Sequence, residues 1–500
     1  MKKIFTISII TALLAVPAAL SAKDYVITDF GAKPDGITLN TRSIQAAIDL
    51  ASADGGGRVT VPSGQFVTGS IYLKHNVELH LEDGAVLLGS LNPWDYVRDP
   101  VINWTAMLFA VGQNNIALTG KGILDCRGFE VANRMVQYIH LGLFKDALEL
   151  DRPQESNRPE IIHFLKCDGV LVRDVTMKDP ACWTQQYELC DNLTIEGIKV
   201  DAKAYWNNDG LDVVDCRNVV VRNCYIDASD DAYCFKSHHT DGISENVLVE
   251  NCIGRSSASG VKFGTLTKGI FRHFVFRNIT IFDTFRSAIN IASVDGGCVE
   301  DVLIDGLKSI NTGNPIFIRF GSRNSNTNVP CVKDILIRNV YAEVPRGKPD
   351  AGYIYEGPVP LPPRNVCPSS ILGLPDEGHR IRNVKLQDIE IVYPGQTDTS
   401  IAYRACTKEV LEAMPELEKS YPEFSQWKEE PAWGFYVRHA DGLIFENVKI
   451  SLAAEDYRPA FVFDDVDGVT FRNVQISDPS KEKKNQIIKN NTRHFKKVKK

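Results

Sequence analysis

The chain has 500 residues, 44% of them hydrophobic, and a formal net charge of −7. That is enough apolar material for a large buried core, and long repeat folds escape the expectation of one domain per ~150 residues. The acidic balance excludes a general nucleic-acid binder, because such a surface repels the phosphate backbone.

Residues 1–22 read as a secretory signal peptide, with Lys2 and Lys3 at the start, an apolar run from Ile4 to Leu20, and small residues Ser21 and Ala22 at the cleavage point. The run contains Pro17 and is short for a membrane span, so export to a secreted or periplasmic location is expected. Twelve cysteines in an exported chain invite disulfides. Cys190 and Cys216 hold matching places in successive repeats, as do Cys224 and Cys252. That pattern suits small apolar side chains stacked inside a coil. One or two bridges stay open, without assignment.

Residues 23–100 form an N-terminal module. Tyr25 to Gly31 reads as a strand, Thr41 and Ser43 to Asp49 as a short amphipathic helix closed by Gly55, Gly56 and Gly57. Strands are expected at Arg58–Pro62, Gly69–Leu73 and Val77–Leu81. The helix would cap the open end of a stack. From Asn114 onward one phrase recurs eleven times: polar residues, then alternating apolar positions, often with asparagine or glycine in the middle. Copies run from NNIALTGKGILDC at Asn114, through CDNLTIEGIKVDA at Cys190 and CRNVVVRNCYIDA at Cys216, to VDGVTFRNVQISD at Val466. The starts at Cys167, Cys190, Cys216, Ser244 and Phe271 are nearly evenly spaced. Period-2 alternation makes the coils β, and such coils bury a core only when stacked. Residues 23–480 therefore form one all-β parallel solenoid.

Within it, Trp206 to Ser237 carries Asn208-Asp209-Gly210 and the acid pair Asp230 and Asp231. The step from Asp209 to Asp230 is close to the length of one coil. The three carboxylates are therefore expected to meet on one outer face. Crowded carboxylates raise at least one pKa, which suits proton donation at neutral pH. Asp230 and Asp231 can cooperate only at a bend, since strand neighbours face opposite ways. A bend is expected just after Ala228. Asp212 is expected to face inward or sideways, as a supporting partner. Two stretches break the repeat: proline-rich residues 345–380, read as a long irregular loop, and residues 403–430, with a helical stretch from Thr407 to Ser420 interrupted by Pro415. Both are candidates to shape a cleft. The basic tail, residues 481–500, reads as disordered.

Together the N-terminal module, the repeat, and the NNDG and SDDA motifs resemble glycoside hydrolase family 28, the polygalacturonases, from about Tyr25 to Asp478. The resemblance implies a right-handed parallel β-helix with its active site in an outer groove. It implies inverting hydrolysis, with Asp230 as general acid and Asp209 and Asp231 activating the water. Two family motifs are absent. Ser259 stands where the histidine of Gly-His-Gly would fall, and FRSAINIAS replaces Arg-Ile-Lys, with only Arg286 nearby. Lys236 and Lys262, in similar places of neighbouring coils, are candidate substitutes. With Arg286 and Asn208 they are the expected substrate-binding residues. No metal or other cofactor is expected, since neither paired-histidine spacing nor a calcium loop occurs.

The expectation is thus an exported, monomeric hydrolase of a pectic polysaccharide or oligosaccharide, galacturonan or rhamnogalacturonan in type, exo-acting because the insertions close the groove. A β-helical polysaccharide lyase and a non-catalytic carbohydrate-binding β-helix remain alternatives.

Overall fold

The computed structural model describes residues 23–147, 151–324, 326–350, 352–355, 366–396, 405–480 and 485–498. The signal-peptide segment lies outside them. Successive coils pair in parallel and in phase with the repeat. Asp168, Asp191, Arg217 and Glu245, each the second residue of a copy, are consecutive register partners. The ladder continues through Arg272, Glu300, Lys333 and Arg382. The first copy falls one position out of phase, since Asn114 itself pairs with Asp168. The next position of each copy bends through left-handed backbone, for example Asn192 at φ 54°, Asn218 at 53° and Asn246 at 57°. Asparagine visits that conformation more readily than other side-chain-bearing residues, which explains the recurrent asparagine.

Alternation places Val170, Leu193, Val219, Val247 and Phe274 in one inward column, all buried. Phe235, Phe263, Phe274 and Phe276 stack inside at centroid separations of 4.9–6.2 Å. Each buried side chain of this size is worth about 1.5–3 kcal/mol. Cys167, Cys190, Cys216, Cys224 and Cys252 are buried free thiols, as their phase implies. Among the described residues a single disulfide, Cys298–Cys331, joins register partners of adjacent coils.

The capping helix runs Thr41–Ala53 with Ile44, Ala47, Ile48 and Ala51 buried against the first coil. A second helix, Gly128–His140, was not legible: it is an insertion between coils. Its first residue must be glycine-sized, since a Cβ at Gly128 would lie 2.1 Å from the Pro180 carbonyl oxygen. No helix among the described residues is long and apolar enough to cross a membrane.

Three expectations need correction. Residues 345–380 are not one loop, because Ser369–Leu372 is a strand of the wall, with Ser370 paired to Phe317 on one side and Ser369 to Phe435 on the other. The helix in 403–430 is short, Lys408–Glu412; it is capped by the Thr407 hydroxyl and ends before Pro415. The tail is not disordered: Ile487–Asn490 and Arg493–Val498 add a further coil. Phe495 extends the aromatic stack onto Phe463 and Phe471, at 5.7 and 5.1 Å, while Lys496 and Lys497 face solvent. Hydrophobic content low on average still suffices when it falls in register. Residues 481–484 lie outside the described residues.

Candidate active site

Asp209, Asp230 and Asp231 sit where the chain turns into the wall strands Leu211–Val214 and Tyr233–Ser237. Asp212 pairs with Cys234 across these two strands. Carried back along both strands, the same register makes Asp231 the stacked neighbour of Asp209, and the ladder bond from Gly210 N–H to the Asp231 carbonyl, 2.9 Å, fixes that level. Asp230 lies just before it, on the corner Ser229–Ala232 between strands, where consecutive side chains can face one way. One oxygen from each of the three carboxylates lies within 4.8 Å of the others.

Each aspartate is held differently. Asp209 accepts from Lys236 Nζ at 3.0 Å, and the same ammonium pairs with Asp212 at 2.5 Å. Asp212, expected inward or sideways as a supporting partner, does not face inward: it shares a column with Cys234 and Lys262, and it supports Asp209 by sharing the Lys236 ammonium. Asp231 accepts from Lys262 Nζ at 2.6 Å and from the Ser259 backbone N–H at 3.1 Å. Asp230 is half-buried and has no ion pair among the described residues; its Oδ1 accepts from the Asp231 N–H at 3.0 Å.

Burial pushes Asp209 well above the ordinary carboxylate range, against the pull of Lys236. Burial raises Asp212 as well. Asp230 is raised by burial and then by the Asp231 charge, with Arg286, Lys262 and Lys236 opposing. Burial works against the Lys236 ammonium, but Asp209 and Asp212 outweigh it and hold the group charged. Burial opposes the Lys262 ammonium too, and Asp231 outweighs it. Groups this close titrate as a unit, with the proton resting where the charge is least compensated.

The expected binding residues fare unequally. Lys236 and Lys262 do reach the acids, but from different levels: Lys262 is the register partner of Cys234, not of Lys236. Arg286 is mostly buried and pairs with Glu423 at 2.6 Å. Asn208 is corrected. It is fully buried, accepts from the Tyr205 N–H at 2.7 Å, and donates to the Pro180 and Cys182 carbonyls at 3.0 and 2.7 Å. Its amide clamps the loop that presents Asp209 and is not available to a sugar.

Two neighbours were missed. Trp183 lies over Lys236, with Nζ 3.5 Å from the ring centroid, and its ring meets Trp104 at 5.5 Å and His238 at 6.5 Å. It stands one coil before Asp209, and that period was the available signal. The other is Tyr421-Pro422-Glu423, from the 403–430 insertion. Tyr421 Oη lies 2.6 Å from Lys262 Nζ, the Pro422 carbonyl accepts from Asn290 at 2.8 Å, and Glu423 pairs with Arg286. The insertion is anchored by Leu411, Met414, Phe424 and Trp427, packed on the outward side chains Phe317, Leu372 and Tyr436. It covers the wall on the C-terminal side of the acids. Across the corner, Asp350 accepts from Ser257 Oγ at 2.7 Å and Tyr355 packs on Tyr205 and Trp206 at 5.1 and 5.3 Å.

A family model, Glycosyl hydrolases family 28, matches residues 55–350, more than half of the chain and all of this acid cluster. The chain belongs to this family. Among relatives of this member, a probable polygalacturonase of Vitis vinifera is 27% identical over 331 residues, 63% of this chain and 60% of its own length. An exo-poly-alpha-D-galacturonosidase of Dickeya chrysanthemi is 28% identical over 268 residues, 46% of this chain and 43% of its own. The matches thus span less than two thirds of either relative. The fold is like that of a Thermotoga maritima exopolygalacturonase, with TM-score 0.59 and 24% identity over 74% of this chain and 87% of that one.

Proposed function

We propose that the protein hydrolyses an α-glycosidic bond in a pectic polysaccharide or oligosaccharide, with Asp230 as general acid and Asp209 and Asp231 holding the attacking water. The observation that carries this is the unequal treatment of three adjacent carboxylates. Asp209 and Asp231 are each tied to a buried lysine, whereas Asp230 faces them without an ion pair among the described residues. A carboxyl raised by burial and a neighbouring charge keeps its proton for the leaving oxygen. Two carboxyls each bonded to a buried lysine are fixed in place to hold and orient the attacking water. The nearest oxygens are closer than the roughly 6.5–9.5 Å customary between the two carboxyls of inverting enzymes. Inversion therefore rests on the water-holding pair, not on spacing. Elimination by a lyase would need a basic side chain free to take a proton, and both nearby lysines are engaged by carboxylates.

Exo action is supported by the Tyr421–Glu423 segment, which lies across the wall beside the acids and limits the chain length that can extend past them. The function belongs outside the cytoplasm, where polymeric pectin is met, in keeping with the export read from residues 1–22. Monomer action is part of the proposal. The test is proton NMR of products from pectic oligosaccharides, with wild type and Asp230→Asn. Prompt release of the inverted anomer, lost in the variant, is expected. The retained anomer would refute inversion, mixed-length early products would refute exo action, and no release would refute hydrolysis.

A further inference from the structure

We infer that the sugar ring lodged between the acid triad and the Tyr421–Glu423 segment is uncharged: a neutral pyranose or a methyl-esterified uronate, not a free galacturonate. This rests on the hydrolase reading above and specifies its substrate.

Among the described residues three cations abut the acids, and each is already neutralised and covered. Lys236, with 4% of its side chain exposed, pairs with Asp209 and Asp212 and lies under the Trp183 ring at 3.5 Å. Lys262, 1% exposed, pairs with Asp231 and lies 4.7 Å from the Tyr421 ring. Arg286, 14% exposed, pairs with Glu423 and lies 5.7 Å from the same ring. A cation over an aromatic face is further stabilised where it stands. Five carboxyls (Asp209, Asp212, Asp230, Asp231 and Glu423) face these three cations. Carboxyls thus outnumber cations around this space, and each of the three cations is already bonded to one of them. A uronate carboxylate entering there would add a like charge in a largely dry site, where each of these cations already has its carboxylate.

Glu423 is the discriminating residue. It arrives from an insertion far along the chain from Arg286 and takes up the guanidinium beside the acids. Specificity against a ligand is commonly built by such an opposing charge.

The test uses the full chain and two aryl glycosides differing only in charge, p-nitrophenyl α-D-galactopyranosiduronate and its methyl ester. The corresponding α-L-rhamnopyranoside and α-D-galactopyranoside separate a neutral sugar from an ester. Expected is kcat/KM at least about tenfold higher for an uncharged glycoside than for the free acid, like-charge contacts being strongly unfavourable. Glu423→Gln, which releases Arg286, should narrow that ratio by raising the rate on the free acid. Equal or faster hydrolysis of the free acid by the wild type would overturn the inference. Should no glycoside be hydrolysed, the hydrolase reading itself fails. Calorimetric binding of methyl-esterified and de-esterified galacturonan oligosaccharides to Asp230→Asn then decides the charge question alone: tighter binding of the de-esterified form overturns it, and tighter binding of the ester upholds it.

Discussion

Replacing Lys236 by Met keeps the length of the side chain and removes the ammonium shared by Asp209 and Asp212. All three groups are almost wholly buried, with side-chain exposures of 4%, 5% and 0%. Two carboxyls raised by burial would then lose the group that opposes the rise. At least one additional carboxyl would stay protonated in the folded state while the unfolded chain releases its proton near pH 3.9. The folded state binds more protons, so stability falls as pH rises through the window above 3.9, until the raised folded value is passed. One carboxyl held neutral costs about 1.5 kcal/mol at pH 5 and about 4 kcal/mol at pH 7, at ~1.4 kcal/mol per pH unit. The upper figure agrees with the ~3–5 kcal/mol typical of breaking a buried ion pair. Chemical denaturation of wild type and variant at pH 5 and pH 7 measures both numbers, and Trp183, whose ring lies against Lys236, gives a local fluorescence signal. A loss under about 1 kcal/mol, equal at the two pH values, would refute the reasoning.

Asp230→Asn should abolish turnover yet leave stability at pH 7 equal to or above that of wild type. Its raised pKa means the charged form is disfavoured in the fold, so the gain should vanish as pH falls below about 4, which thermal midpoints will report. The wild-type rate should fall as pH rises through the value of the Asp230 carboxyl, and a rate that climbs into the alkaline range would argue against that residue as acid. Tyr421→Phe removes the hydroxyl 2.6 Å from Lys262 and should cost about 1.5–3 kcal/mol, the usual worth of a hydrogen bond to a charged group, with a lower kcat in steady-state kinetics. Treatment with EDTA should leave activity unchanged, because Lys236 and Lys262 supply the positive charges against Asp209 and Asp231; loss restored by calcium would overturn that assignment.

What the sequence made legible follows from where periodicity reaches. The phrase that starts at Cys167, Cys190 and Cys216 is the register itself, because an inward side chain must recur once per coil for the core to be continuous. The same constraint brings Asp209 level with Asp231, and the end of the strand at Ala228 frees Asp230 to turn beside them. Asp212 could be read only as inward or sideways, a supporting partner, because two adjacent strands, not one, determine its surroundings: the pairing with Cys234 reveals that its side faces Lys236. Asn208 was misread because its partners, Pro180 and Cys182, lie in the preceding coil, and the motif alone cannot say which backbone it will meet.

The insertions obey no period, so nothing in their spacing announces Tyr421 or Glu423. What binds them is chemistry that becomes visible only in three dimensions. Phe317, Leu372 and Tyr436 interrupt the polar outer face with large apolar side chains, and such a patch on a soluble wall needs a cover. Phe424 and Trp427 supply it, and the Tyr421–Glu423 segment just before them is thereby carried to the acid cluster. The repeat thus sets the acids and lysines, while the apolar patch, farther along the wall, determines which loop reaches them. A substitution such as Trp427→Ala, which touches neither acid nor lysine, would loosen Tyr421 and Glu423 together. Specificity between charged and uncharged sugars should then relax before the fold is lost, because the wall beneath remains closed by its own core.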